Sequence, residues 1–169
     1  LQAAYRGRIR LCRGIEIATV QNLCLRPEEV ISYFDYCLVE HLDRPDSCVG
    51  GDRIVPFARR CGCPTGIAHT DLFSYLERTE MDPLQYLTAL AENGVFWEMN
   101  VNYDSIHGFR EHAYVRDFME KKDQQEIVKK SGIRLSVGFD SHRCGEYRAD
   151  RVKNMCNFIE NLGIPLFAP

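Results

Sequence analysis

Asp140 and His142 stand directly after the apolar run Leu135-Ser136-Val137-Gly138-Phe139, and His69 follows the shorter run Gly66-Ile67-Ala68. Earlier, Glu16 lies between Ile15 and Ile17, and His41 closes Tyr36-Cys37-Leu38-Val39-Glu40. A carboxylate or an imidazole therefore recurs in or just after one β-like run after another. Groups so placed converge if the strands are parallel neighbours, because their C-terminal ends then open on one face. Carboxylate oxygen and imidazole nitrogen are donors for zinc, manganese or iron, so the chemistry foreseen is the binding of divalent metal ions.

These residues differ in how much they say. Glu16 is the most telling, since a carboxylate buried in a strand is costly unless a cation or strong donors meet it. Its structural alternative is a salt bridge to an arginine. Asp140 and His142, two apart, project to one side of an extended backbone and suit one or two neighbouring ions. Taken alone, they equally fit a turn with a capping aspartate and a surface histidine. His69 is followed by Thr70-Asp71, either of which suits the N-cap of a helix from Leu72. His107 and His112, in the polar stretch from Asp104 to His112, read as loop residues. Glu98 and Asn100 share one side of a strand and either orient ligands from behind or form a solvated strand end. Arg143 is a candidate phosphate contact, because a guanidinium matches phosphate oxygens; chance placement explains it as well.

Strands and helices must position these groups. A helix is expected over 3–10, then a strand centred on Gly14-Ile15-Glu16-Ile17, a short helix opened by Pro27, and a strand from Asp35 to Glu40. A helix over Asp52 to Arg60 and a strand over Thr65 to Ala68 come after these. Helices over Leu72 to Arg78 and Pro83 to Glu92 are next, the second ended by Asn93-Gly94. Val95 to Asn100 reads as a strand, Val115 to Lys130 as one charged amphipathic helix, and Ile133 to Val137 as a strand. A helix over Arg148 to Asn161 and a last strand over Ile164 to Phe167 complete the series. Strands alternating with helices indicate βα units and a parallel sheet, which either a barrel or an open doubly wound sheet satisfies. Gly-x-Gly-x-x-Gly and Walker-type phosphate loops are missing, so nucleotide folds of those types lose support.

At 169 residues the chain is expected to be a single domain, and its 45% apolar and 27% charged composition is ordinary for a globular protein. A net charge of −3 does not advertise nucleic-acid binding. No apolar stretch approaches the roughly 18 residues of a membrane span, and the arginine-bearing start has no apolar core of a signal peptide. The eight cysteines are scattered, without zinc-finger spacing. They read as reduced thiols in a cytoplasmic protein, with Cys61-Gly62-Cys63 as the one close pair.

Gly14-Ile15-Glu16, Asp35-Tyr36 with His41, Ala68-His69-Thr70-Asp71-Leu72, Trp97-Glu98-Met99-Asn100 and Phe139-Asp140-Ser141-His142 together resemble the PHP (polymerase and histidinol phosphatase) family, in particular its histidinol-phosphate-phosphatase-like branch. The resemblance spans nearly the whole chain in order. It implies a distorted (βα)7 TIM-like barrel of the PHP type, with a site for up to three metal ions. It also implies metal ligation by Glu16, His41, His69, Asp140 and His142, Glu16 bridging two ions. The sequence departs from that pattern at Thr70, where proline is usual, at Phe139, where serine is usual, and at Glu40, where valine is usual. The family's opening strand, with its His-x-His, has no counterpart here, so the chain reads as a PHP-like domain over 1–169 lacking its N-terminal strand or strands.

The resemblance implies a metal-dependent phosphoesterase that hydrolyses a small phosphate monoester by metal-activated hydroxide, histidinol phosphate being the first substrate to try. With the upstream histidines missing, one tightly held ion and feeble turnover are expected of this chain. The cofactors foreseen are divalent zinc, manganese or iron, and the partner a small phosphorylated substrate, with no membrane and no nucleic acid. The alternatives are a metal-binding module without turnover and, behind it, a nuclease- or polymerase-associated module.

Overall fold

The computed structural model describes residues 7, 9–20, 23–26 and 29–169. Five strands form one all-parallel sheet: β1 (Gly14–Ala18), β2 (Tyr36–Glu40), β3 (Thr65–Ile67), β4 (Phe96–Asn100) and β5 (Leu135–Gly138). Among the described residues six α-helices accompany them: α1 (Ile54–Cys61), α2 (Leu72–Arg78), α3 (Pro83–Glu92), α4 (Ala113–Glu120), α5 (Lys122–Ser131) and α6 (Ala149–Asn161).

Register explains how these sequences make a sheet. Ile17, Val39, Ile67, Trp97 and Leu135 pair successively across all five strands, and every one is buried. This apolar row belongs to one core with Ile54, Leu72, Leu76, Leu87, Phe118 and Ile159 from the helices. Burial of each such side chain is worth about 1.5–3 kcal/mol. Because side chains alternate along a strand, the residues between them, including Glu16, Glu40 and Glu98, lie on the opposite face. There Gly66 lets the ring of Phe96 cross β3, since a Cβ would sit 2.1 Å from Phe96 Cε2, and Phe96 stacks on Phe167 at 3.8 Å.

The strand order runs β1-β2-β3-β4-β5 without reversal, so the switch point of a doubly wound sheet is missing. Nor do these strands form the expected distorted (βα)7 TIM-like barrel. The sheet is an open ladder: among the described residues β1 pairs only with β2, and β5 pairs with β4 and carries a single bridge from Leu135 to Leu166. The run from Ile164 to Phe167 thus yields one bridge and no strand. Cys12 and Pro169 approach, but through a thiol–carbonyl contact of 3.7 Å and no strand pairing. Closing a barrel requires every edge to be paired, which these five strands do not achieve.

Two connections also differ from expectation. The helix expected over Val115 to Lys130 is two helices, α4 and α5, broken at Lys121, whose φ of −89° and ψ of 102° are extended. The amide of Gln125 donates to the carbonyls of Phe118 (2.8 Å) and Met119 (3.1 Å), satisfying the freed end of α4. The cysteines expected to be reduced include one disulfide, Cys24–Cys48. It forms because the loops after β1 and β2 are joined by the antiparallel bridge Val20–Ser47 and by the bond from Cys48 N–H to Thr19 O at 2.7 Å. The helices expected over 3–10 and from Pro27 fall on segments that include residues outside those described.

Candidate metal centre

Parallel strands bring their C-terminal ends to one edge of the sheet, and all five histidines of the chain gather there. The chain leaves each strand end differently. After β2 the backbone turns at His41 with a φ of +64°, and after β5 it turns at Asp140 with a φ of +44°. Non-glycine residues in this left-handed region cost about 1–3 kcal/mol and persist where the surroundings impose them. Both strained residues are ligands expected from the sequence.

The first cluster draws on β1, β2 and the end of β3. His69 Nε2 lies 3.2 Å from Glu16 Oε1 and 3.9 Å from Glu40 Oε2. The donor atoms of Glu16, Glu40 and His69 all fall within 4.8 Å of one another, close enough to share an ion. His41 stands beside them: its Nδ1 is 3.2 Å from Glu40 Oε1 yet is buried without a hydrogen bond. Behind His69, Glu98 accepts its backbone N–H at 3.1 Å and the Asn100 amide at 3.3 Å. Gly138 makes room for that carboxylate, since a Cβ there would lie 2.0 Å from Glu98 Oε1.

Charge depends on this geometry. The hydrogen bond that the His69 imidazolium donates to Glu16 raises its pKa to about 9 against the opposing effect of burial. The same bond lowers the Glu16 carboxyl, while burial raises that of Glu98. His112, its ring 6.3 Å from His69 and 6.2 Å from His107, is lowered by burial and by those two imidazoles.

The second cluster comes from the loop after β4 and the turn after β5. Asp104 is fully buried, with Oδ1 2.8 Å from His107 Nδ1 and Oδ2 3.5 Å from His142 Nδ1. Burial opposes its ionisation, but hydrogen bonds from the His107 and His142 backbone and from the His107 ring prevail and hold the carboxyl well below its usual range.

Of the residues expected from the sequence, Glu16 and His69 meet in the first cluster and His142 enters the second. His41 touches the first only through Glu40. Asp140 is exposed, belongs to neither group of three, and acts on His69 and His112 at longer range. Arg143 lies 3.8 Å from Glu146 and is largely exposed. Glu40, Asp104 and His107 were not foreseen. Glu40 carried a signal in its position at a strand end beside His41, and Asp104 with His107 in the Asp-x-x-His spacing of a polar loop.

The donor set, carboxylate and imidazole, fits zinc, manganese or iron. The buried Nδ1 of His41, which makes no hydrogen bond and lies 3.2 Å from Glu40 Oε1, is a further nitrogen donor that suits such an ion. No helix among the described residues is long and apolar enough to cross a membrane. No protein-family model matches the chain, and no curated protein matches it either.

Proposed function

We propose that this chain is a PHP-type, metal-dependent phosphoesterase acting on small phosphate monoesters. The observation that carries the reading is the meeting of Glu16, Glu40 and His69 within 4.8 Å at the C-terminal edge of a parallel sheet. The five ordered motifs that resemble the PHP family support it. A divalent ion held there would supply Lewis acidity toward the phosphoryl oxygens and toward water. Glu16, Glu40 and His69 would hold that ion, with His41 adjacent. Glu98, through the His69 N–H, sets where the imidazole stands, and a metal-ligating histidine depends on such support. Arg143, exposed beside the turn that carries His142 and 3.8 Å from Glu146, would be the guanidinium that meets an anionic substrate from solvent.

The exposure of Asp140, outside both clusters, favours a second reading in which the chain binds metal without turnover. Manganese- or zinc-loaded protein should hydrolyse a panel of phosphate monoesters that includes histidinol phosphate, and both chelator and His69→Ala should abolish the activity. Chelator-resistant hydrolysis would overturn the metal mechanism, and metal uptake with no hydrolysis would establish the second reading. Six free thiols, Cys37 and Cys61 buried among them, support placement in the cytoplasm, against which the Cys24–Cys48 bond counts.

A further inference from the structure

Asp104 is kept ionised in a buried place by hydrogen bonds, with titratable imidazoles as its ion-pair partners. Its carboxylate is 0% exposed, and a buried carboxylate is costly unless paired or bound to a metal. Among the described residues its ion-pair partners are the imidazoles of His107 and His142, not an ammonium or guanidinium. Both rings are partly exposed, and their centroids lie 5.1 Å apart.

The hydrogen bonds around His107 conflict. Its Nδ1 lies 2.8 Å from Asp104 Oδ1, an acceptor, and 3.0 Å from Asn102 Nδ2, a donor. The Asn102 amide cannot be turned around to relieve this. Its Nδ2 also donates to Asp140 O at 2.8 Å, and its Oδ1 accepts Asp104 N–H at 3.0 Å. A protonated Nδ1 opposes the Asn102 N–H, and an unprotonated one opposes the carboxylate oxygen. Neither tautomer satisfies both contacts. A cation shared by the Nδ1 lone pair and Oδ1 would turn the repulsive nitrogen–oxygen contact into a bridged one, leaving the Asn102 amide its bond to Asp140 O.

The loop that presents these groups is held on every side. Asn100 Oδ1 accepts Asn102 N–H at 3.0 Å, and Tyr114 OH accepts Asn100 N–H at 2.8 Å. Ser105 donates through its N–H (3.0 Å) and its hydroxyl (2.7 Å) to Glu146, and Arg151 Nε donates to Val101 O at 3.0 Å. Donors about 2.0–2.2 Å from a shared ion stand roughly 3–3.5 Å from one another, and the 2.8 and 3.5 Å separations here bracket that spacing.

We infer that Asp104, His107 and His142 form a second divalent-cation site, distinct from the Glu16–Glu40–His69 cluster, with its open side toward solvent. The site takes a borderline first-row ion such as zinc, held by two imidazole nitrogens and one carboxylate. It stands whether or not the protein hydrolyses phosphate esters.

The test is zinc stoichiometry of the whole chain after gel filtration, with folding monitored by circular dichroism. Wild type should retain two zinc ions, His107→Ala one, and Glu16→Gln one. Asp104→Asn should also lose one. If that buried change unfolds the chain, the partly exposed His107→Ala still decides. One ion in wild type that His107→Ala removes and Glu16→Gln leaves would uphold this site and refute the first cluster. Unchanged zinc content in folded His107→Ala overturns the inference, even if Glu16→Gln loses an ion.

Discussion

At the scale of single residues, the position of His69 depends on a glycine two strands away. Gly138→Ala would drive a Cβ into Glu98 Oε1 and free the His69 N–H from its acceptor. Zinc affinity of the first cluster should fall about 10- to 100-fold, as it does when support behind a ligating histidine is lost. Gly145→Ala, which meets open space, should leave it unchanged. Calorimetric titration of the two variants decides, and equal affinities would show that Glu98 does not position His69. A second expectation concerns pH in chelator-treated protein. Folded His69 titrates at about 9 against an ordinary 6.5. Its contribution to stability is therefore complete below about 6.5 and is lost as pH rises through about 9. The lowered Glu16 adds stability above about 4.5 that disappears as pH falls through its folded value. The melting-temperature advantage of wild type over His69→Gln should be widest between about 4.5 and 6.5 and gone by about pH 10. A gap that stays constant across that range would show that the pair does not titrate as described.

At the scale of elements, the residue pattern foretold much and failed where long-range partners decide. The strands β1 and β2 and the helices α2 and α3 were legible because apolar periodicity and caps agree. Asp82 caps α3 through Gln85 N–H at 2.7 Å with Pro83 behind it, and Asp71 caps α2 through Ser74 N–H at 3.0 Å. Thr70, the other candidate cap, donates instead to Ala68 O. The break at Lys121 was not legible. The amphipathic pattern runs through it, and the compensating donor, Gln125, looks like any surface glutamine. Gln125→Ala should cost about 0.5–1.5 kcal/mol in denaturant unfolding by leaving two carbonyls of α4 without that donor. No loss would mean that solvent satisfies them equally well. The Cys24–Cys48 bond was hidden for a related reason, since it depends on two loops meeting and not on cysteine spacing.

At the scale of the whole molecule, alternation of strands and helices told of a parallel sheet but not of whether its edges meet. That property belongs to pairing between distant strands, and local pattern is blind to it. The site was legible only in part for the same reason. Glu16 announces itself as a carboxylate inside an apolar strand, and His69 and His142 by following strand ends, whereas Asp104 and His107 lie in a loop whose path is set by Tyr114, Glu146 and Arg151. The two clusters also divide the chain. Glu16, Glu40 and His69 belong to its N-terminal part, and Asp104, His107 and His142 all lie C-terminal to β4. With strands added in order of synthesis, each ion would clamp a different stretch of polypeptide and stabilise it by mass action. Occupancy of one centre would slow local opening of β1 to β3, and occupancy of the other would quiet the segment between β4 and β5. The protein would then carry two independent ion-set fasteners along one continuous sheet, and its rigidity would be graded by metal supply, not switched as a whole.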